Sequence, residues 1–71
     1  MAENTRPVTL IIRRKAVEAR TGLSRSTIYQ RIKDGAFPPP ISLGPKAVGW
    51  LQSEIEDWIA DRVRQSRGGI A

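Results

Sequence analysis

The chain has 71 residues, with twelve basic and seven acidic side chains, a formal net charge of +5, and neither cysteine nor histidine. So short a chain supports one small domain, near the size at which a single apolar core is just sufficient. It has no means of forming a disulfide, a thiolate or imidazole metal site, or a histidine base, so no cofactor, no metal and no enzymatic activity are expected.

Residues 1–8 read as a flexible N-terminus, Met1 to Pro7 being polar. Val8 to Ile12 is a short β-prone apolar run, read as an extended segment lying against the core. A first helix is expected around Arg14 to Arg20, with Ala16, Val17 and Ala19 as small apolar contacts. Arg13, Arg14 and Lys15 stand at its start, where the helix dipole disfavours cations by a few tenths of a kcal/mol and a bound phosphate reverses that penalty.

Thr21 to Gly35 reads as the turn and second helix of a helix-turn-helix. Gly22 suits the left-handed backbone of a tight interhelical turn, and Leu23 packs below it. Ser24 can cap the second helix, its hydroxyl accepting one of the unpaired N–H groups of the first turn. Ile28 and Ile32, four apart, share a face with the Tyr29 ring beside them and are expected to pack inward. Ser26, Thr27, Gln30 and Lys33 point away from that face, with Arg25 and Arg31 on its flanks. These are the donors and cations that meet phosphates and base edges in a major groove. Gly35 is the helix stop.

Ala36 to Gly44 cannot continue the helix, because Pro38, Pro39 and Pro40 fix φ and lack the N–H donor. A polyproline ligand for an adaptor domain is the alternative reading; a stiff connection off the second helix is preferred, since no charge accompanies the prolines. Ile41 and Leu43 alternate with Ser42 as in a half-buried strand, Gly44-Pro45-Lys46 supplies a turn, and Ala47 to Leu51 returns. The result is a β-hairpin wing with Lys46 at its tip. A last helix is expected from Ser53, with Ser53 and Glu56 as a capping box and Ile55, Trp58, Ile59 and Val63 as its apolar stripe. Trp58 and Trp50 are the bulkiest core candidates; a base-stacking platform is the alternative for either indole. Residues 66–71 are glycine-rich and read as a flexible tail, leaving residues 9–65 as the folded domain. The fold class is mainly α with a small β-hairpin: a winged helix-turn-helix of three helices plus wing.

Charge is divided along the chain. From Arg6 to Lys46 nine basic residues face only Glu18 and Asp34, whereas Ala47 to Asp61 holds Glu54, Glu56, Asp57 and Asp61 and no base. The tail then adds Arg62, Arg64 and Arg67. A basic N-terminal half suggests a face for a polyanion, and the acidic segment a face for something else. The candidate DNA-binding set is Arg13, Arg14, Lys15, Ser24, Arg25, Ser26, Thr27, Gln30, Arg31, Lys33 and Lys46.

Four strings in register, Thr21 to Tyr29, Lys33 to Pro38, Ala47 to Trp50 and Ser53 to Ile59, resemble the AlpA family of prophage regulators over about Ile12 to Val63. The resemblance implies a winged helix-turn-helix related to MerR-type and excisionase DNA-binding domains, acting on prophage genes that include integrase genes. By position, Arg25, Ser26, Thr27, Gln30 and Arg31 match the family's recognition helix, and Lys46 its wing-tip base. Gln30 and Lys46 stand where a basic residue and arginine are usual, which implies a different target sequence and a wing that meets phosphate without a bidentate fork.

The expected function is therefore that of a sequence-specific, double-stranded-DNA-binding transcriptional regulator. The alternatives are an excisionase-type directionality factor that bends DNA and contacts an integrase, and a protein-interaction module that uses the acidic last helix. Double-stranded DNA is the expected partner, with integrase or RNA polymerase as further candidates. No apolar run approaches the roughly 18–20 residues of a membrane span, and no signal-peptide pattern opens the chain. A cytoplasmic, nucleoid-associated monomer that binds DNA in several copies is expected.

Overall fold

The computed structural model of the chain describes residues 9–68, in six elements: β1 (Ile11–Ile12), α1 (Arg14–Thr21), α2 (Arg25–Lys33), β2 (Ile41–Gly44), β3 (Ala47–Leu51) and α3 (Gln52–Gly68). The expected flexible arm, residues 1–8, and the last three residues of the expected tail lie outside the described residues.

α1 stops where Gly22 turns left-handed at φ +75, its N–H donating to the Glu18 carbonyl. Ser24 caps α2 as its sequence suggests: its backbone is extended and its Oγ accepts from the Thr27 N–H at 3.2 Å. At the other end Gly35, at φ +76, donates to the Ile32 carbonyl and Ala36 donates to that of Arg31. That pair of bonds is a Schellman closure, which satisfies two of the carbonyls a helix end leaves unpaired.

The sheet is larger than a hairpin. Its order is β1-β3-β2, antiparallel throughout, with Ile11 opposite Leu51 and Ile12 opposite Trp50. Ile11 and Ile12, at the end of the apolar run before α1, thus pair as a third strand. Alternation along a strand then puts Ile12 and Trp50 on the core side and Ile11 on the outer side. The β2–β3 wing carries an irregularity between Ser42 and Gly44. On the outer side Gly49 allows close approach: a Cβ there would lie 2.6 Å from Ile11 Cγ2 and 3.0 Å from Leu43 Cδ1. Leu43 leans across this gap and stays 42% exposed, less buried than its alternation suggests.

Val17, Ile28, Phe37, Trp50 and Ile55 form the buried core, one from each of α1, α2, the proline segment, β3 and α3. Ile12, Leu23, Ile32, Val48, Trp58 and Ile59 pack around it. The two indoles fasten the proline segment, which has few donors of its own. Trp50 Nε1 donates to the Pro38 carbonyl at 2.9 Å and Trp58 Nε1 to that of Ala36 at 2.8 Å.

Phe37, for which the sequence suggested no role, is a core residue, tucked edge-on against Trp58 at 4.9 Å between centroids. Three expectations change. Val63 continues the α3 stripe in sequence but is exposed, because α3 outruns the body it packs on. The capping box does not form: α3 begins one residue before Ser53, and the Gln52 N–H donates to the Leu10 carbonyl. Glu56 accepts instead from Gln52 Nε2 at 2.9 Å and lies 3.9 Å from Arg20. Finally, α3 runs to Gly68, so Ser66 to Gly68 are helical.

Candidate nucleic-acid interface

α2 places its polar residues outward because Ile28 and Ile32 occupy the core side. Residues 26, 30 and 33 fall within one narrow arc opposite them, at three- and four-residue spacing. Ser26, Thr27, Gln30, Arg31, Asp34 and Ala36 line one open concavity of about 480 Å³. Within it Gln30 Nε2 lies 3.4 Å from both Asp34 oxygens, and Thr27 Oγ1 accepts from Ser24 Oγ at 2.9 Å. Gln30 therefore presents an amide already oriented by a carboxylate one turn away, and its long hydrogen bonds are weak enough to be exchanged.

A second concavity, of about 300 Å³, is lined by Arg13, Arg14, Lys15, Tyr29, Lys46 and Val48. Three consecutive basic side chains, Arg13 to Lys15, meet here with a fourth, Lys46, from more than thirty residues further along the chain. Arg13 is the N-cap of α1 and makes no side-chain cap bond, and the first turn carries no acid. Lys46 comes from the turn of the wing, which β3 brings alongside α1. Positive potential from the helix N-terminus adds to that of the side chains, so the concavity favours an anion. Arg14 is partly engaged, 3.4 Å from Glu18 Oε2, but both side chains are about one-third exposed and such a pair holds a cation only loosely.

On this surface the sequence misplaces Tyr29. Periodicity puts it beside Ile28 and Ile32, yet the residue is 39% exposed. It meets Trp50 edge-on at 6.3 Å, lies 5.9 Å from the Arg25 guanidinium and forms part of the wall of the basic concavity. It stands at the edge of the core-facing arc, where a large ring with a polar tip can cover the core and still reach water. Arg25 thus stands beside the basic concavity. Ser24 spends its hydroxyl on the cap and on Thr27, and the exposed Lys33 lines neither concavity.

Three helices with a three-stranded sheet, a capped second helix presented outward and a wing reaching back toward the first define a winged helix-turn-helix. The chain belongs to the family of the prophage CP4-57 regulatory protein (AlpA), whose model matches residues 10–63. Among curated relatives it is 54% identical over 48 residues to the uncharacterized protein ORF88 of Enterobacteria phage P4, a match covering 68% of this chain and 54% of that protein. It is 37% identical over 67 residues to the DNA-binding transcriptional activator AlpA of Escherichia coli K12, covering 86% of this chain and 96% of that one. The chain thus spans about half the length of the phage P4 relative and nearly all of the E. coli one.

Proposed function

We propose that this protein is a sequence-specific, double-stranded-DNA-binding transcriptional regulator of prophage or integrated-element genes. The observation that carries the reading is the convergence of Arg13, Arg14, Lys15 and Lys46 on one concavity beside α2. α2 enters the major groove, where Ser26, Thr27, Gln30 and Arg31 meet base edges and Arg25 and Lys33 meet the flanking backbone. The basic concavity takes a phosphate, and Tyr29 supplies a hydroxyl to the same strand. The working unit is residues 9–65. No described helix is long and apolar enough to cross a membrane, and we place the protein at the nucleoid, as a monomer in solution that loads in several copies. RNA polymerase or an integrase is its further partner.

An excisionase-type role on the same surface is the second reading. Asp34 favours it: weak as its bonds to Gln30 are, a carboxylate on the reading face must be displaced before that amide can meet a base. Such a factor relies on DNA shape and bending more than on base edges.

Equilibrium binding to promoter duplex at increasing salt tests both. Each neutralised phosphate contributes about −0.9 to the slope of log K against log salt, so Lys46→Ala and Arg14→Ala should weaken all sequences alike and flatten that slope. Gln30→Ala should lose about 1–3 kcal/mol on the cognate site and little on random DNA. Equal losses on both would transfer the case to the excisionase reading. A slope near zero would remove DNA altogether.

A further inference from the structure

The proline segment and α3 enclose an open groove of about 510 Å³, which adjoins the α2 concavity at Ala36. Its floor is apolar: Phe37 stands edge-on to Trp58, and the indole is fixed by its bond to the Ala36 carbonyl. Its rim is acidic, with Glu54, Asp57 and Asp61 spaced along one face of α3. The prolines offer no N–H groups, and the Ala36 and Pro38 carbonyls are already taken by the two indoles, so the side chains of an occupant carry much of its recognition. The groove already contains one such group, since the Arg62 guanidinium lies over the Trp58 ring at 5.6 Å. An aromatic face flanked by carboxylates is the environment a guanidinium prefers, stacked on one side and paired on the other.

We propose that this groove docks an arginine-bearing segment of a protein partner, whose guanidinium takes the place over Trp58 that Arg62 occupies in the free protein. Charge argues for that occupant. In a chain of net charge +5, residues 47–61 hold four acids and no base, and three of those acids line this groove. An acidic rim repels nucleic acid and draws a cationic peptide. Asp61 also pairs with Arg64, so the incoming segment exchanges one ion pair for another while gaining the aromatic floor. The inference goes beyond the DNA-binding reading and stands without it.

The test is an NMR titration of the full chain with a short amidated peptide of alternating leucine and arginine, alongside a twin in which citrulline replaces each arginine. The arginine peptide should move the Trp58 indole N–H and the amides of Phe37, Asp57 and Asp61, and the citrulline twin should not. Asp57→Asn with Asp61→Asn should weaken the peptide by about fivefold or more while leaving duplex affinity intact. Arg62→Ala, by removing the internal competitor, should tighten it. Equal response to both peptides, or unchanged affinity in the double variant, would overturn the proposal. So would movement of the same resonances with the protein's own concentration and no peptide, which would assign the groove to a second copy. Loss of DNA binding in separate duplex titrations would leave the peptide result standing.

Discussion

α2 and α3 are both amphipathic helices that bury isoleucine, yet their ends are made in different ways. α2 is closed from its own neighbourhood: Ser24 holds the Thr27 N–H, and Gly35 and Ala36 return to Ile32 and Arg31. α3 has its first N–H satisfied by the Leu10 carbonyl, more than forty residues earlier in the chain. Its last nine residues are exposed. The helix that would read DNA thus keeps its shape by local bonds, while the helix that closes the domain takes its start from the sheet. A reading helix needs fixed side-chain positions whatever the rest of the domain does, and local closure provides that.

The largest effect expected from challenging this contrast is global. Trp50→Ala removes a fully buried indole and its bond to Pro38, and should cost about 3–5 kcal/mol, comparable with the whole stability of so small a domain. Thermal unfolding checks it, and a wild-type midpoint would mean that the core is not centred on β3. Next comes Gly35→Ala. Open space surrounds the new methyl, so the expected loss of about 1–2 kcal/mol is that of the left-handed backbone alone. Urea titration with α2 helicity as the readout should find it. Smallest is the paired comparison of Ser24→Ala and Ser53→Ala. The first should cost about 1 kcal/mol through loss of the cap. The second should be neutral or stabilise by a few tenths, because Ser53 lies inside the helix and alanine is the better helix former. Equal losses would show that α3 has a local cap after all and erase the contrast.

The same difference explains what the sequence could reveal. Caps, glycine stops and proline breaks act over a few residues, so α2, its turn and the route of the proline segment were legible from Gly22, Ser24, Gly35 and Pro38 to Pro40. Lys46 was legible as a wing tip from its turn chemistry. The meeting of Lys46 with Arg13 to Lys15 was not, since it depends on β3 lying beside α1. Ser53 and Glu56 had the spacing of a capping box, but a helix that starts directly from a strand moved the boundary by one residue. Tyr29 failed for a related reason: periodicity assigns a face, whereas the fate of a residue at its edge depends on what packs alongside, here Trp50 and Arg25. Phe37 carried one usable signal, an aromatic between a helix-stop glycine and prolines, where solvent exposure would leave it without purpose.

Gly49 has a bearing on how this sheet can drift in sequence. Its missing side chain is the volume into which Ile11 and Leu43 lean from two different strands, with the Ile12 carbonyl 3.2 Å from where a methyl would sit. Positions 11, 43 and 49 therefore share one allowance of space and should be epistatic. Alanine at 49 is expected to be tolerated beside a smaller residue at 11 and to be harmful beside isoleucine. A lineage that exchanges one for the other must pass through a less stable intermediate or change both positions together, so the glycine is kept in place by its neighbours more than by any turn of its own backbone.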